Sequence, residues 1–157
     1  MEAVRAATVN DAERLGQLSA EFLAGVVSRR GGLLLVGGAA GPPGGAALAE
    51  RLPELIGDAE RLVLVGTIDD AVIGFALCHL EGGGRARSGV LDACYVEPGA
   101  RGVGVGRLLL DTAVAWMEEQ GCTGVDGTAL PGDREAKNFF ESAGFKARVL
   151  TMYRPLD

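Results

Sequence analysis

YVEPGARGVGVGRLLLD, Tyr95 to Asp111, is the stretch from which the fold can be read. A β-rich run ends at Val96, and Pro98 stops it, because proline cannot donate to a ladder. Gly102, Gly104 and Gly106 then alternate with valines between Arg101 and Arg107, and an apolar run follows directly. A strand that leads through glycines into a helix makes an anion site. The first helical N–H groups lack intrahelical partners. The macrodipole places about half a positive charge at that end. Glycines let the backbone approach a phosphate with no Cβ in the way.

The spacing discriminates among anion sites. The dinucleotide fingerprint G-x-G-x-x-G does not fit, because the third glycine comes one residue early, and no G-K-[ST] follows for a P-loop. What fits is R-x-x-G-x-G, Arg101 to Gly106. An anion at a helix start gains about 0.3–1 kcal/mol, or ~2 when partly buried. A micromolar ligand needs about 8 kcal/mol. Most of the affinity for any ligand here must therefore come from elsewhere. The bland alternative is a plain flexible loop.

Outward from this stretch, the periodicity predicts a helix over Val105 to Gln120. Leu109, Ala113 and Trp116 form one stripe, Leu110, Val114 and Met117 its neighbour, and Gly121 closes it. Upstream, Ser88–Val96 reads as a strand. Leu62–Ile68 and Val72–Leu80 read as a hairpin turning at Asp69-Asp70. Ala3–Thr8 is a first strand, followed by a helix from about Asp11 to Leu23 with Asn10 as cap and Glu13 completing a capping box. Ala46–Ile56 reads as a short helix with Pro53 awkward inside it. Gly37–Gly45, all glycine, alanine and proline, reads as a mobile loop, and Gly25–Val36 carries no clear signal. Downstream come a strand in Thr123–Leu130, a helix capped by Asp133 and ended at Gly144, and a final strand in Phe145–Leu156. The order β-α-(α)-β-β-β-α-β-α-β implies a mixed sheet with helices on its faces, an α+β or α/β layer fold.

Composition bounds the function. The 157 residues suit one domain able to bury roughly 70% of its unfolded surface. The N-terminus lacks an apolar h-region, and no apolar run is long enough to span a bilayer. Cys78, Cys94 and Cys122 form no C-x-x-C, and His79 is the only histidine, which argues against a zinc or other metal site. Three unpaired cysteines fit a reduced, cytoplasmic protein. A net charge of −6 argues against nucleic acid or a membrane as partner.

The sequence resembles the GNAT superfamily of acyl-CoA N-acyltransferases. In that family [QR]-x-x-G-x-[GA] follows the fourth strand and wraps the pyrophosphate of coenzyme A, as Arg101–Gly106 would here. A second family block, N-x-x-A-x-x-[FL]-Y-x-x-x-G-F, reads Asp133, Ala136, Phe139, Phe140, Gly144 and Phe145. The close match covers Leu91 to Phe145, and the rest agrees only in element order. The resemblance implies a single N-acetyltransferase domain over residues 1–157, in α/β/α layers, with a mostly antiparallel sheet of about 6–7 strands and about 4 helices. It implies acetyl-CoA as co-substrate, no metal, and transfer of the acetyl group to a primary amine of a small molecule or peptide by direct attack on the thioester. A homodimer is compatible with it.

Carried over residue by residue, the resemblance assigns coenzyme A binding to Cys94, Tyr95, Val96, Arg101, Gly102, Val103, Gly104, Val105, Gly106, Arg107, Asp133 and Phe140. The pantetheine arm would lie like an extra strand along Cys94 and Val96, and the Val96 N–H would serve the oxyanion. Arg101 and Arg107, with Lys137, would make the local positive pocket that an acidic chain otherwise lacks. Phe140 stands where the family commonly has its tyrosine acid, and phenylalanine cannot donate a proton. Three readings stand: water suffices for an acidic thiol, Tyr95 or Tyr153 substitutes, or the domain is a non-catalytic acyl-CoA-binding module. For the base, Asp92 precedes Cys94 and Val96 by even steps and, without a bulge, shares their sheet face. A strand-end acid paired with an arginine is the competing reading. His79 and Glu81 are weaker choices, and Glu97 is expected to face solvent. The substrate side is expected from the first helix, the glycine–proline loop and the hairpin, with Glu21, Glu50 and Glu54 as anchors for a cationic acceptor or as solvated helix faces.

Overall fold

The computed structural model describes residues 1–37 and 46–156. The predicted Gly37–Gly45 loop thus lies outside the described residues, except for Gly37. The elements are β1 (Glu2–Ala6), α1 (Ala12–Val27), α2 (Gly32–Gly37), α3 (Ala46–Gly57), β2 (Arg61–Ile68), β3 (Ala71–Glu81), β4 (Ser88–Val96), α4 (Val105–Glu119), β5 (Val125–Gly127) and α5 (Arg134–Ser142). They form one five-stranded sheet in the order β1-β2-β3-β4-β5. All neighbours are antiparallel except β4 and β5. The mixed, mostly antiparallel sheet with helices on both faces matches the expected layer fold, with fewer strands.

The hairpin forms where its turn chemistry puts it. Ile68 pairs with Ala71, so Asp69 and Asp70 are the whole loop, and both adopt positive φ, 47° and 69°. That is the primed turn whose twist suits an antiparallel pair, and Asp tolerates it. Two cores flank the sheet. On one side α4 lays Val105, Leu109, Leu110, Ala113 and Met117 against Leu64, Ala76, Cys78 and Leu91. On the other, Leu15 and Leu18 of α1 and Leu48, Leu52 and Leu55 of α3 cover Val63, Val65, Phe75, Leu77 and Ala93. Pro53 sits inside α3 without ending it. Helix α4 lies close on β2 because Gly66 presents no side chain there. A Cβ on Gly66 would meet Val105 Cγ1 at 2.4 Å.

Three expectations are corrected. The cap of the first helical segment is not Asn10 with Glu13. A 3₁₀ turn, Val9–Asp11, intervenes, and Asp11 Oδ2 accepts the Thr8 N–H at 2.8 Å and an Arg5 N–H at 2.8 Å. The strand expected within Thr123–Leu130 shrinks to Val125–Gly127. The final strand over Phe145–Leu156 does not form a ladder. This tail touches β5 through Arg148 and Asp126 at 2.5 Å, and Val149, Leu150, Met152, Tyr153 and Leu156 are exposed. A strand needs a partner backbone as well as β propensity, and three residues of β5 offer little edge.

Candidate active site

Strand β4 is paired on both sides only at its start. Gly89, Val90 and Leu91 pair in parallel with Val125, Asp126 and Gly127. Beyond Leu91 the pairing with β5 ends while β4 continues to Val96 beside β3. The two strands part there, and a cleft of about 480 Å³ opens between them. Asp92 to Val96 line one wall, Thr128 to Leu130 with Phe139 and Phe140 of α5 the other. Phe22, Gly25 and Val26 of α1, Arg29 just beyond its end and Leu35 of α2 flank it, and Gly102, Gly104 and Gly106 at the start of α4 line it too.

The backbone wall is chemically open. The Glu97 N–H donates to Ile73 O at 2.9 Å across β3. By strand alternation, the N–H and C=O of Val96 point the other way, toward the gap. Arg101 Nε takes that carbonyl at 2.8 Å, leaving the Val96 N–H directed at the cleft. At the end of the wall, Gly102 and Gly104 hold positive φ, 86° and 93°, and open space surrounds both. Gly104 is the N-cap of α4, and the first helical bond runs from Leu108 N–H to Gly104 O at 3.0 Å. The N–H groups of Val105, Gly106 and Arg107 therefore have no intrahelical acceptor. The side chain of Val105 is buried in the core and that of Val103 is half exposed. Neither lines the cleft, so only their backbones can serve it.

The basic side chains are less free than the sequence suggests. Besides its bond to Val96 O, Arg101 stacks over the Tyr95 ring at 5.5 Å and lies 3.8 Å from Glu135. Arg107 donates to Asp111 at 2.9 Å and to Ser142 O at 3.3 Å. Lys137 pairs with Glu141 at 3.8 Å and does not line the cleft. Asp133 caps α5 by accepting the Ala136 N–H at 3.1 Å.

The acid and base candidates separate. Asp92 sits in a β-bulge: Leu77 pairs with Ala93 and Cys78 with Leu91, leaving Asp92 as the extra residue. The expectation that it shares the face of Cys94 and Val96 rested on an unbroken strand and is corrected here. A bulge sets two residues against one and shifts the alternation. Leu91 accordingly joins the core under α4 while Ala93 joins the core under α1 and α3. Asp92 Oδ2 instead contacts His79 Nδ1 at 2.7 Å. Burial raises its proton affinity, offset in part by the hydrogen bond to His79. Tyr95 lines the cleft, packs its ring near Phe22 and Phe75, and donates its hydroxyl to Glu21 at 3.1 Å. Burial and the Glu21 bond raise its pKa, so it stays protonated. Tyr153 is 85% exposed on the tail and does not line the cleft.

Phe140 packs with Phe139 and Phe145 at ring distances of 5.6 and 5.2 Å. Cys94 lines the cleft, and burial pushes its thiol up to about 12. Glu97 does not face solvent freely: Arg14 donates to it at 2.7 Å, tying α1 to the end of β4. Of the acids expected on the substrate side, Glu21 reaches the site through Tyr95, whereas Glu50 and Glu54 are exposed away from it. The hairpin contributes no lining. Arg29, Leu35 and Thr128 do line the cleft, and nothing in their sequence neighbourhood marks them.

A model of the acetyltransferase (GNAT) family matches residues 40–145. The aminoglycoside N(6')-acetyltransferase type 1 of Stenotrophomonas maltophilia is 31% identical over 116 residues, which are 69% of this chain and 76% of that one. The structure of an aminoglycoside N-acetyltransferase, AAC(6')-Iy, in complex with CoA superposes with a TM-score of 0.76 at 17% identity, covering 99% of this chain and 95% of that one. The ribosomal-protein-alanine N-acetyltransferase of Brucella melitensis biovar Abortus 2308 superposes with a TM-score of 0.70 at 18% identity over the whole of both chains. At such identities the two structures establish the fold alone. The family match and the curated relative carry the assignment: the chain belongs to the acetyltransferase (GNAT) family and is an N-acetyltransferase.

Proposed function

We propose that this protein transfers an acetyl group from acetyl-CoA to a primary amine of a small molecule or peptide, by direct attack of the amine on the thioester. The observation that carries the reading is the gap between β4 and β5, running from the bulge at Asp92 to the open glycine start of α4. We read it as the coenzyme A site. The free edge at Cys94–Val96 offers main-chain groups to a pantetheine arm as an added strand would. The N–H groups at the start of α4, beside Gly102 and Gly104, suit a pyrophosphate. Arg101 and Arg107 serve there mainly to hold the loop and the helix start, since each is already committed to protein partners.

Acetyl-CoA supplies an activated acyl carbon and a thiol leaving group. The chain supplies the rest. The Val96 N–H is placed to stabilise the tetrahedral oxyanion. Asp92 acts as the base that takes a proton from the acceptor ammonium. Tyr95 stands in as the acid that Phe140 cannot be. Cys94 does not carry the acyl group, because a thiol that ionises near 12 is a poor nucleophile at neutral pH. The similarity to an aminoglycoside acetyltransferase makes amino sugars the first acceptors to try, beside polyamines and peptide N-termini.

Two measurements test the proposal. Titration calorimetry with coenzyme A is expected to give micromolar binding, and absence of binding would overturn it. A thiol-release assay across the amine panel is expected to find turnover. With a working acceptor, Tyr95→Phe should lower kcat about tenfold or more; an unchanged kcat would remove Tyr95 from the mechanism and leave water as the proton source.

A further inference from the structure

Three titratable side chains form a continuous line from the cleft to the surface. Asp92, at the bulge, has 11% of its side chain exposed, and Oδ2 lies 2.7 Å from His79 Nδ1. His79, 15% exposed, places Nε2 at 2.9 Å from Glu81 Oε1. Glu81 is 60% exposed at the end of β3. Both ring nitrogens thus face carboxylates, and an imidazole in this position satisfies both as donors only when it is the imidazolium. Arg61 on β2 also acts on the pair, opposite His79 in register and itself paired with Asp58, whereas Arg29 and Glu21 are engaged elsewhere, with Asp133 and Tyr95. Among the described residues only Oδ2 of Asp92 is engaged in a hydrogen bond, and Oδ1 is not.

We propose that His79 is a positioning residue for deprotonation of the acceptor: clamped between Glu81 and Asp92, it holds Asp92 ionised with Oδ1 free for the ammonium proton. This rests on the reading of Asp92 as the base. In the step, an N–H bond of the acceptor ammonium breaks and an O–H bond forms on Asp92 Oδ1. The nitrogen keeps the electron pair with which it attacks the thioester, and the positive charge passes from the amine to the Asp92–His79 pair. Asp92 returns its proton to water once the amide has formed. Without the imidazolium, the burial that disfavours a carboxylate charge at Asp92 would go uncompensated. Burial also works against the charge on His79, but the bonds to Asp92 and Glu81 outweigh it, and the imidazolium persists above its usual range.

His79→Gln keeps a hydrogen-bond donor and removes the charge. The ¹³C resonance of the Asp92 carboxyl, identified by its loss in Asp92→Asn, should titrate about one pH unit or more higher in His79→Gln than in the wild type. An unmoved midpoint overturns the proposal, and this measurement needs no acceptor. With an acceptor, the ascending limb of kcat/KM should move to higher pH by the same amount, so that the value on that limb falls about tenfold while coenzyme A affinity is unchanged. Glu81→Gln, at an exposed position that tolerates exchange, should move the limb in the same direction by less. If Asp92→Asn keeps the wild-type limb, Asp92 is not the base and both readings fall. If Asp92→Asn abolishes the limb while His79→Gln leaves it in place, only the role of His79 falls.

Discussion

Asp11 shows how much one side chain can decide. It is 7% exposed, and its carboxylate accepts from Arg5 twice, at 2.8 and 3.0 Å, and from the Thr8 N–H. It thereby fixes the passage from β1 into α1. The Arg5 hydrogen bonds come first among the causes holding its pKa below the usual carboxylate range, with burial acting against them. The sign follows: a depressed folded pKa adds stability above the unfolded value of about 3.9, and that stability is lost as pH falls through the folded value. Asp11→Ala should cost about 1–3 kcal/mol near neutral pH, and less in acid, read by urea denaturation at several pH values. Arg5 is half exposed, which keeps the figure below that of a fully buried pair. A loss independent of pH would show that packing, not charge, holds this junction.

Helix α4 is the element on which core and cleft meet, and its two glycine contacts do different work. At Gly66 the sheet yields space to the helix. A Cβ at 2.4 Å from Val105 Cγ1 must displace the helix, because a valine methyl has nowhere to swing. Gly66→Val should therefore destabilise by about 1–3 kcal/mol through overpacking, seen as a lower denaturation midpoint. An unchanged midpoint would mean that α4 sits further from β2. At Gly104 the space is open and the backbone is the constraint: φ of 93° strains any L side chain. Gly104→Glu adds that strain and a negative charge where an anion is proposed to bind. Calorimetry should show coenzyme A affinity falling at least about 100-fold, some 2.7 kcal/mol. Unchanged affinity would move the pyrophosphate elsewhere. The β4 bulge belongs to this scale as well, since it turns Asp92 toward His79.

At the scale of the whole molecule, the cleft is assembled from ends: of β4, of β5, and the starts of α4 and α5, with α1 and α2 beside them. A ligand filling it would add contacts across elements now joined by a few side-chain links, such as Arg107 to Ser142 O and Tyr95 to Glu21. Coenzyme A at about 100 times its Kd should add ~2.7 kcal/mol to stability. For a domain of this size that raises Tm by about 5–10 °C, which a thermal melt with and without the ligand reads directly. No shift at saturating coenzyme A would contradict the proposed site. The sequence by itself determined what short-range chemistry controls. The Asp69-Asp70 turn, the stripes of α4, the glycines at Gly121 and Gly144, the Asp133 cap and the family blocks are each legible within a few residues, because turn dihedrals, helical periodicity and caps are local. Tertiary structure decided what depends on partners far along the chain. It set the register that bulges β4 at Asp92, parted β4 from β5, brought Tyr95 but not Tyr153 to the cleft, and left Phe145–Leu156 without a ladder. Strand pairing and cleft walls arise from contacts between distant segments, and no local pattern encodes which edge a strand will find or where two strands will part.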